Sequence, residues 1–339
     1  MFRIHHFYLI CILVHLVSCS NNAKLMREET NIEVIDSIEL ELSLPYSMVT
    51  SNGMLFLSDA MGHERLVQVY DVNARKYLFS FADKGSGPNE FILIDNMSLA
   101  DDKILLFDTG SRKMGSFTFE DIEKDKDGVN PYAIDSFASD SLRVFNINKI
   151  DGGFVATGMF EEGKFALLTD SFKILGYEGE YRAKQNEAVD ISKHIMANHG
   201  AQFLSSDKCY MVDIIYGANI ISLYKLNDMT ISKVWEYVGD ELDYTVKGSG
   251  VIVNNKKIGY ISAFINGGYV YALYSGEAEN DDEIAPYGQS IHKFDISTGN
   301  LLESYNLNRR CFAINTDGGK LYVLSHLPEP VVLICDLPV

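Results

Sequence analysis

The sequence predicts an all-β fold, a six-bladed β-propeller whose ring is closed by an N-terminal strand. Three observations predict it. A tight-turn signal followed by a short β-rich run recurs six times. The recurrences stand about fifty residues apart. The last repeat is one strand short, and a strand-like stretch near the start of the chain has no turn signal before it.

The six runs are "SNG-MLFLSD" at 51–59, "ADD-KILLFD" at 100–108, "DGG-FVATGMF" at 151–160, "SDK-CYMVDII" at 206–215, "NGG-YVYALYS" at 266–275 and "DGG-KLYVLSH" at 317–326. Asn, Asp and Gly tolerate the positive φ that two-residue hairpins need. The runs after them carry the β-branched and aromatic residues of buried strands. Marked at Gly53, Asp102, Gly152, Asp207, Gly267 and Gly318, the intervals are 49, 50, 55, 60 and 51 residues. That period, with strand–turn–strand content, is the signature of a propeller with one four-stranded sheet per blade.

Each marked strand should be followed by further strands. "RLVQVYDV" at 65–72, "KFALLTDS" at 164–171, "ANIISLYKL" at 218–226 and "QSIHKFDIS" at 289–297 fit, and "YLFSF" at 77–81 follows as an outer strand. After the last marker come only "KLYVLSH" and "VVLICDL". "NIEVIDSIELEL" at 31–42 can complete that blade and remove an open edge. The longer intervals locate insertions. Residues 179–200 show helical spacing at Ala188, Ile191, Ile195 and Met196. Residues 239–258 read as an extended loop or hairpin, and 275–290 as an expansion inside blade five.

The chain opens "MFRIHHFYLICILVHLVSCS". Its apolar run from Phe7 to Val17 is too short to span a bilayer and reads as an export signal. Leu16-Val17-Ser18-Cys19 resembles a bacterial lipobox. The expected division is a lipoprotein signal over 1–18, a polar tether over 19–30 beginning at a lipidated Cys19, and a propeller domain over 31–339. Cys209, Cys311 and Cys335 remain, an odd number that argues against a disulfide framework. A formal net charge of −18 makes nucleic acid a poor partner.

"ADKGSGPNEF" at 82–91 looks at first like a phosphate loop. It lacks the Lys-Ser or Lys-Thr such loops require, and Glu90 would repel phosphate. Its place in the repeat, after the outer strand of blade one, makes it the crossing back to the central axis. Gly85 and Gly87 are expected to supply unusual backbone angles, Pro88 to stiffen the crossing, and Phe91 to plug between blades. "GSGPNEF" resembles the Gly-x-Gly-Pro-x-Glu-Phe element of NHL-type and TolB-like six-bladed propellers. Residues 51–91 look like an NHL-type repeat, with Asp59, Arg65, Val69, Tyr70 and Asp71 in the familiar order. Blade two keeps Asp108 and Arg112, and blades three to five keep only turn and strand character. The resemblance implies the fold and an exported lipoprotein in the bacterial cell envelope.

Propellers bind at one end of the central channel, where loops between second and third strands converge. Those loops carry Asp59, His63, Glu64 and Arg65 in blade one and Asp108, Ser111 and Arg112 in blade two. Blade three offers Glu161 and Glu162, and blade four Asp213 and Tyr216. Asp281, Asp282, Glu283 and Tyr287 come from blade five, and His326 and Glu329 from blade six. Asp59 and Asp108 also suit a purely structural role, capping turns or pairing with Arg65 and Arg112. No loop has calcium-binding spacing. The expected function is binding without a cofactor, by a monomer, of a peptide, an envelope protein or a glycan at the channel mouth. The competing class is a metal-dependent hydrolase or lyase. For that class His63, His199 and His326 would converge on zinc, or acidic loop residues on calcium; some NHL-type propellers are metal-dependent lyases and other six-bladed propellers calcium-dependent lactonases.

Overall fold

The computed structural model describes residues 29–124, 133–136, 143–182, 190–278 and 286–338. The signal segment, Cys19, Ala188 and the acidic trio Asp281, Asp282 and Glu283 lie outside the described residues. Six four-stranded antiparallel sheets follow one another along the chain. Blade one is Pro45–Ser51, Met54–Asp59, Arg65–Asp71 and Lys76–Asp83. Blade two is Asn96–Ala100, Lys103–Asp108, Lys113–Thr118 and Ala133–Ser136. Blade three is Val144–Ile150, Gly153–Gly158, Phe165–Leu168 and Ile174–Glu178. Blade four is Gly200–Leu204, Tyr210–Ile215, Ile220–Asn227 and Thr230–Val238. Blade five is Tyr260–Asn266, Tyr269–Tyr274, Gly288–Asp295 and Leu301–Cys311.

Blade six takes Ala313–Asp317, Lys320–Ser325 and Val331–Asp336 from the C-terminal end of the chain. Its outermost strand is Val34–Glu39, antiparallel to Val331–Asp336 with Ile38 opposite Val332. The first strands of the six blades touch in a closed ring, each packed against the next and the sixth against the first. The two ends of the chain thus meet in one sheet. Thr30–Asn31 adds a short parallel strand to the edge of blade five. The Glu29 carboxylate accepts there from Ser290 and Ser304 Oγ, both at 2.9 Å. The last residues of the expected tether are therefore part of the sheet.

The marked hairpins have the predicted turn chemistry. Asn52 and Gly53 both adopt positive φ, 53° and 73°, as do Gly267 and Gly268. The core lies between blades. Residues at alternate positions of one strand face opposite neighbours: Met54 and Phe56 pack toward blade two, Leu55 and Leu57 toward blade six. Ile104 and Leu106 likewise face blade one, and Leu105 and Phe107 face blade three. Both faces of the sheet are covered, so second strands read as unbroken apolar runs instead of alternating ones.

The 82–91 crossing works differently from the sequence expectation. Neither Gly85 nor Gly87 has a left-handed φ. They leave space for the Glu90 carboxylate. A Cβ on Gly85 would stand 2.0 Å from Glu90 Oε2. That carboxylate folds back over the glycines and accepts from Gly87 N at 2.7 Å. Lys113 Nζ donates to the Gly87 and Glu90 carbonyls at 2.5 and 3.0 Å, pinning the loop to blade two. Phe91 is fully buried between blades one and two, beside Phe117.

Both insertions hold their predicted elements. Ile191–Ala197 is a helix capped by Asp190, whose carboxylate accepts from Ser192 N. Tyr244–Lys247 and Gly250–Val253 form a hairpin. They share an apolar cluster of Ala197, Ile215, Leu242 and Tyr244. The short helix Phe119–Lys124 in blade two was not foreseen. Its signal was present in the sequence: Thr118 caps Asp121 N, and Asp121 accepts from the Thr118 hydroxyl in return.

Candidate ligand site at the channel mouth

Because successive strands reverse direction, the crossings between blades and the loops from second to third strands share one end of the ring. That end is the mouth. The marked hairpins lie at the other.

Several predicted residues reach the mouth but are occupied in holding loops. Asp59 accepts from Ser43, Leu44 and Met61 N at 3.0–3.2 Å. Asp108, fully buried, accepts from Ile92 N, Ser111 N and Ser111 Oγ. Each carboxylate ties its own loop to the incoming crossing. Arg65 donates to Ser80 O at 2.7 Å and pairs with Asp83 at 3.3 Å, so it braces the outer strands of blade one. Arg112 sits in a turn with φ 55°. His63 and Glu161 are exposed on their loops.

His326 is a clasp. The Pro45 carbonyl, 2.7 Å from Nε2, can only accept, so that nitrogen carries the proton. Nδ1 then accepts from the Tyr287 hydroxyl at 3.3 Å. The ring stacks on Phe312 with centroids 4.9 Å apart. Blades five, six and one are joined through this one side chain. Both ring nitrogens of His326 are thus engaged by groups of the protein. Among the described residues no group of three or more His, Cys, Asp or Glu is placed to hold a metal ion.

Around the mouth stand aromatic residues, of which the sequence reading named His199 and Tyr216 but not Tyr46, Phe145 or Phe312. Tyr46 opens blade one and is 45% exposed. It contacts Phe312 at a centroid distance of 5.7 Å. Across the ring, His199 lies edge-on to Phe145 at 5.3 Å and to Tyr216 at 5.5 Å. Burial raises the Tyr216 pKa, and Tyr46 on the opposite blade raises it further. Burial raises the Asp95 carboxyl as well, against hydrogen bonds from the Thr109 hydroxyl and N–H. The signal was local. Tyr46, Phe145, His199 and Phe312 all stand within two residues of the start of a blade's first strand.

Beside this collar, between blades three and four, lies a buried ion pair. Lys164 and Asp213 are 5% and 2% exposed, with Nζ 2.5 Å from Oδ2. Gln202 Nε2 donates to Asp213 Oδ1 at 2.8 Å, and Thr157 Oγ1 donates to Gln202 Oε1 at 2.9 Å. Lys164, Gln202, Thr157, Phe145, Tyr181 and His199 line a recess of 20 Å³, room for about one water. A larger groove of 260 Å³ lies at the other end, between blades two and three. Two of its polar residues are paired: Lys149 with Asp170 and Asp101 with Lys208, both at 2.9 Å.

Desolvation lowers the pKa of both His326 and His199 below the usual histidine value of 6.5. The folded state therefore binds protons at these rings less readily than the unfolded chain does. Below about pH 6.5 the unfolded chain binds more protons, so stability falls with falling pH and is insensitive to these groups above it. Melting temperature should decline between pH 6.5 and 5.5, and the decline should be shallower in His326→Gln. An equal slope in the variant would remove His326 from the account.

The family model for TolB-like 6-blade propellers matches residues 25–318. No curated protein shows significant sequence similarity to the chain. Among solved structures, a presumed exported protein from Bacteroides fragilis superposes with a TM-score of 0.59 at 10% identity, over 91% of this chain and 97% of that one. A luciferin-regenerating enzyme gives 0.53 at 13% identity, over 90% and 96%. Regucalcin, a calcium-binding protein from Agrobacterium tumefaciens, gives 0.52 at 12% identity, over 90% and 95%. At these identities the likeness is one of fold.

Proposed function

For a chain that belongs to the TolB-like family of six-bladed propellers, we propose a binding role at the channel mouth, in an exported and lipid-anchored protein of the bacterial envelope. The observation that carries the reading is the aromatic collar. Tyr46 and Phe312 stand on one side, and Phe145, His199 and Tyr216 on the other. Aromatic faces left partly open around a mouth suit flat apolar surfaces: sugar rings, or proline and aromatic side chains of a peptide. The lipobox-like Leu16-Val17-Ser18-Cys19 supports the anchor. The fold likeness to an exported Bacteroides protein agrees with the location.

A panel of oligosaccharides and peptides, titrated against the purified protein, tests the reading. At least one class should bind. The double variant Tyr46→Ala, Tyr216→Ala should bind it about tenfold more weakly, the usual loss when aromatic anchors are removed. No binding by the native protein, or unchanged binding by the variant, would contradict it.

A further inference from the structure

Several aromatic rings of the molecule already carry a cation of the protein. Lys293 Nζ stands 4.3 Å from the centroid of the Tyr269 ring, Arg310 Cζ 4.8 Å from that of Tyr287 and Lys149 Nζ 5.1 Å from that of Phe154. Among the described residues, the collar rings of Tyr46, Phe312, Phe145 and Tyr216 carry none. Tyr46 is the most open of the four, 45% exposed.

A carboxylate stands beside that ring. Tyr46 is the second residue of Pro45–Ser51, the first strand of blade one. Asp95 directly precedes Asn96–Ala100, the first strand of blade two. These two strands pack against each other, so both residues come to the mouth on neighbouring blades. Burial raises the Tyr46 pKa, and the Asp95 charge raises it further. Asp95 Oδ2 accepts from Thr109 N and Oγ1 at 2.8 and 2.6 Å, both neutral donors. Among the described residues no Lys or Arg pairs with it. Other cations of the mouth are engaged: Lys113 with the Gly87 and Glu90 carbonyls, Arg309 with the Leu327 carbonyl and Lys164 with Asp213. A half-buried carboxylate held only by neutral donors gains from a cation that arrives with a ligand.

We propose that the mouth takes a cationic side chain, the lysine or arginine of a peptide, which lays its charge over the Tyr46 ring and donates to the Asp95 carboxylate. The proposal rests on the mouth being the binding end, and it adds the chemical class. An aromatic face attracts a cation through its quadrupole, more strongly where water is partly excluded. The chain's net charge of −18 draws cations toward the protein. A neutral sugar would leave Asp95 without a counter-charge.

Four tripeptides, glycine-X-glycine with acetyl and amide ends, test it by calorimetric titration of the full protein. X is lysine, arginine, glutamine or norleucine. A cationic peptide should bind about tenfold more tightly than the neutral ones, as a cation over a ring and a charge-assisted hydrogen bond together provide. Which of the two wins identifies the side chain. Asp95→Asn keeps an acceptor for Thr109 and removes the charge, and should abolish the preference. Tyr46→Leu changes an exposed side chain, so the fold should survive, and should shrink the preference several-fold. Equal binding of cationic and neutral peptides would overturn the proposal while leaving the collar reading intact. So would a sugar that binds where no cationic peptide does, or a preference that survives in both folded variants. Failure of every peptide and sugar would overturn the collar reading as well. Crystals soaked in the better peptide give an independent readout. Its cation should lie within about 6 Å of the Tyr46 ring centroid and in hydrogen-bond reach of Asp95, and a cation bound elsewhere contradicts the assignment.

Discussion

Replacing Lys164 alone by methionine should destabilise the fold by about 3–5 kcal/mol, because it leaves the Asp213 carboxylate buried without its cation. Asp213 is 2% exposed, and its remaining side-chain partner is the Gln202 amide, a neutral donor. Adding Asp213→Leu should return most of the loss, since the double variant exchanges a desolvated pair for apolar contact with its neighbours. Chemical denaturation of the native protein and the two variants measures this as a cycle. The expected result is a strongly unfavourable single change and a near-neutral pair. If the single change costs less than about 1 kcal/mol, as exposed pairs do, the pair is hydrated and the description of a buried site is wrong.

The second large effect is expected at Phe91. Its ring is fully buried between blades one and two, with Phe117 and Phe81 in the same cluster. Gly115 is glycine because a Cβ there would stand 2.5 Å from Phe91 Cζ. A ring held this closely leaves a cavity that its surroundings cannot fill. Phe91→Ala should cost about 3–5 kcal/mol. For a domain of this length that lowers the melting temperature by roughly 5–10 °C. Phe91→Leu should recover more than half of it. A shift of a degree or two for the alanine variant would mean that the crossing does not key the two blades together.

The architecture was legible because a propeller repeats its local chemistry. Asn52-Gly53 and Gly267-Gly268 mark hairpins by backbone conformation alone, and conformation is a local property. Parallel faces of buried sheet, as at Met54–Asp59, leave unbroken apolar runs that can be counted. The crossing at 82–91 was placed correctly, yet its glycines serve a different purpose. Gly85 makes room for Glu90, a contact between residues five apart that no φ preference announces.

The mouth was less legible. Asp59 and Asp108 looked available by position, but each is consumed by backbone N–H groups from a crossing some fifteen residues earlier. Lys164 and Asp213, by contrast, are 49 residues apart on adjacent blades, and neither carries a local signature of the other. Tyr46 on blade one contributes to the raised pKa of Tyr216 on blade four. Such pairings depend on how the ring closes, and the period of the repeat does not encode them. What the sequence did offer was Asp213 as a candidate, but the structure places it inside the second strand of blade four, opposite Gln202, and not in the loop that follows that strand.

The most direct test of a binding mouth is hydrogen exchange of the native protein with and without the strongest binder from the oligosaccharide and peptide panel. Slowed exchange should be confined to the mouth end: the first residues of blades one, three, four and six around Tyr46, Phe145, His199 and Phe312, and the loop at Tyr216. Protection centred instead on Asp101, Lys103 and Phe172, which line the groove at the opposite end, would contradict the account and move the site to the other face of the ring.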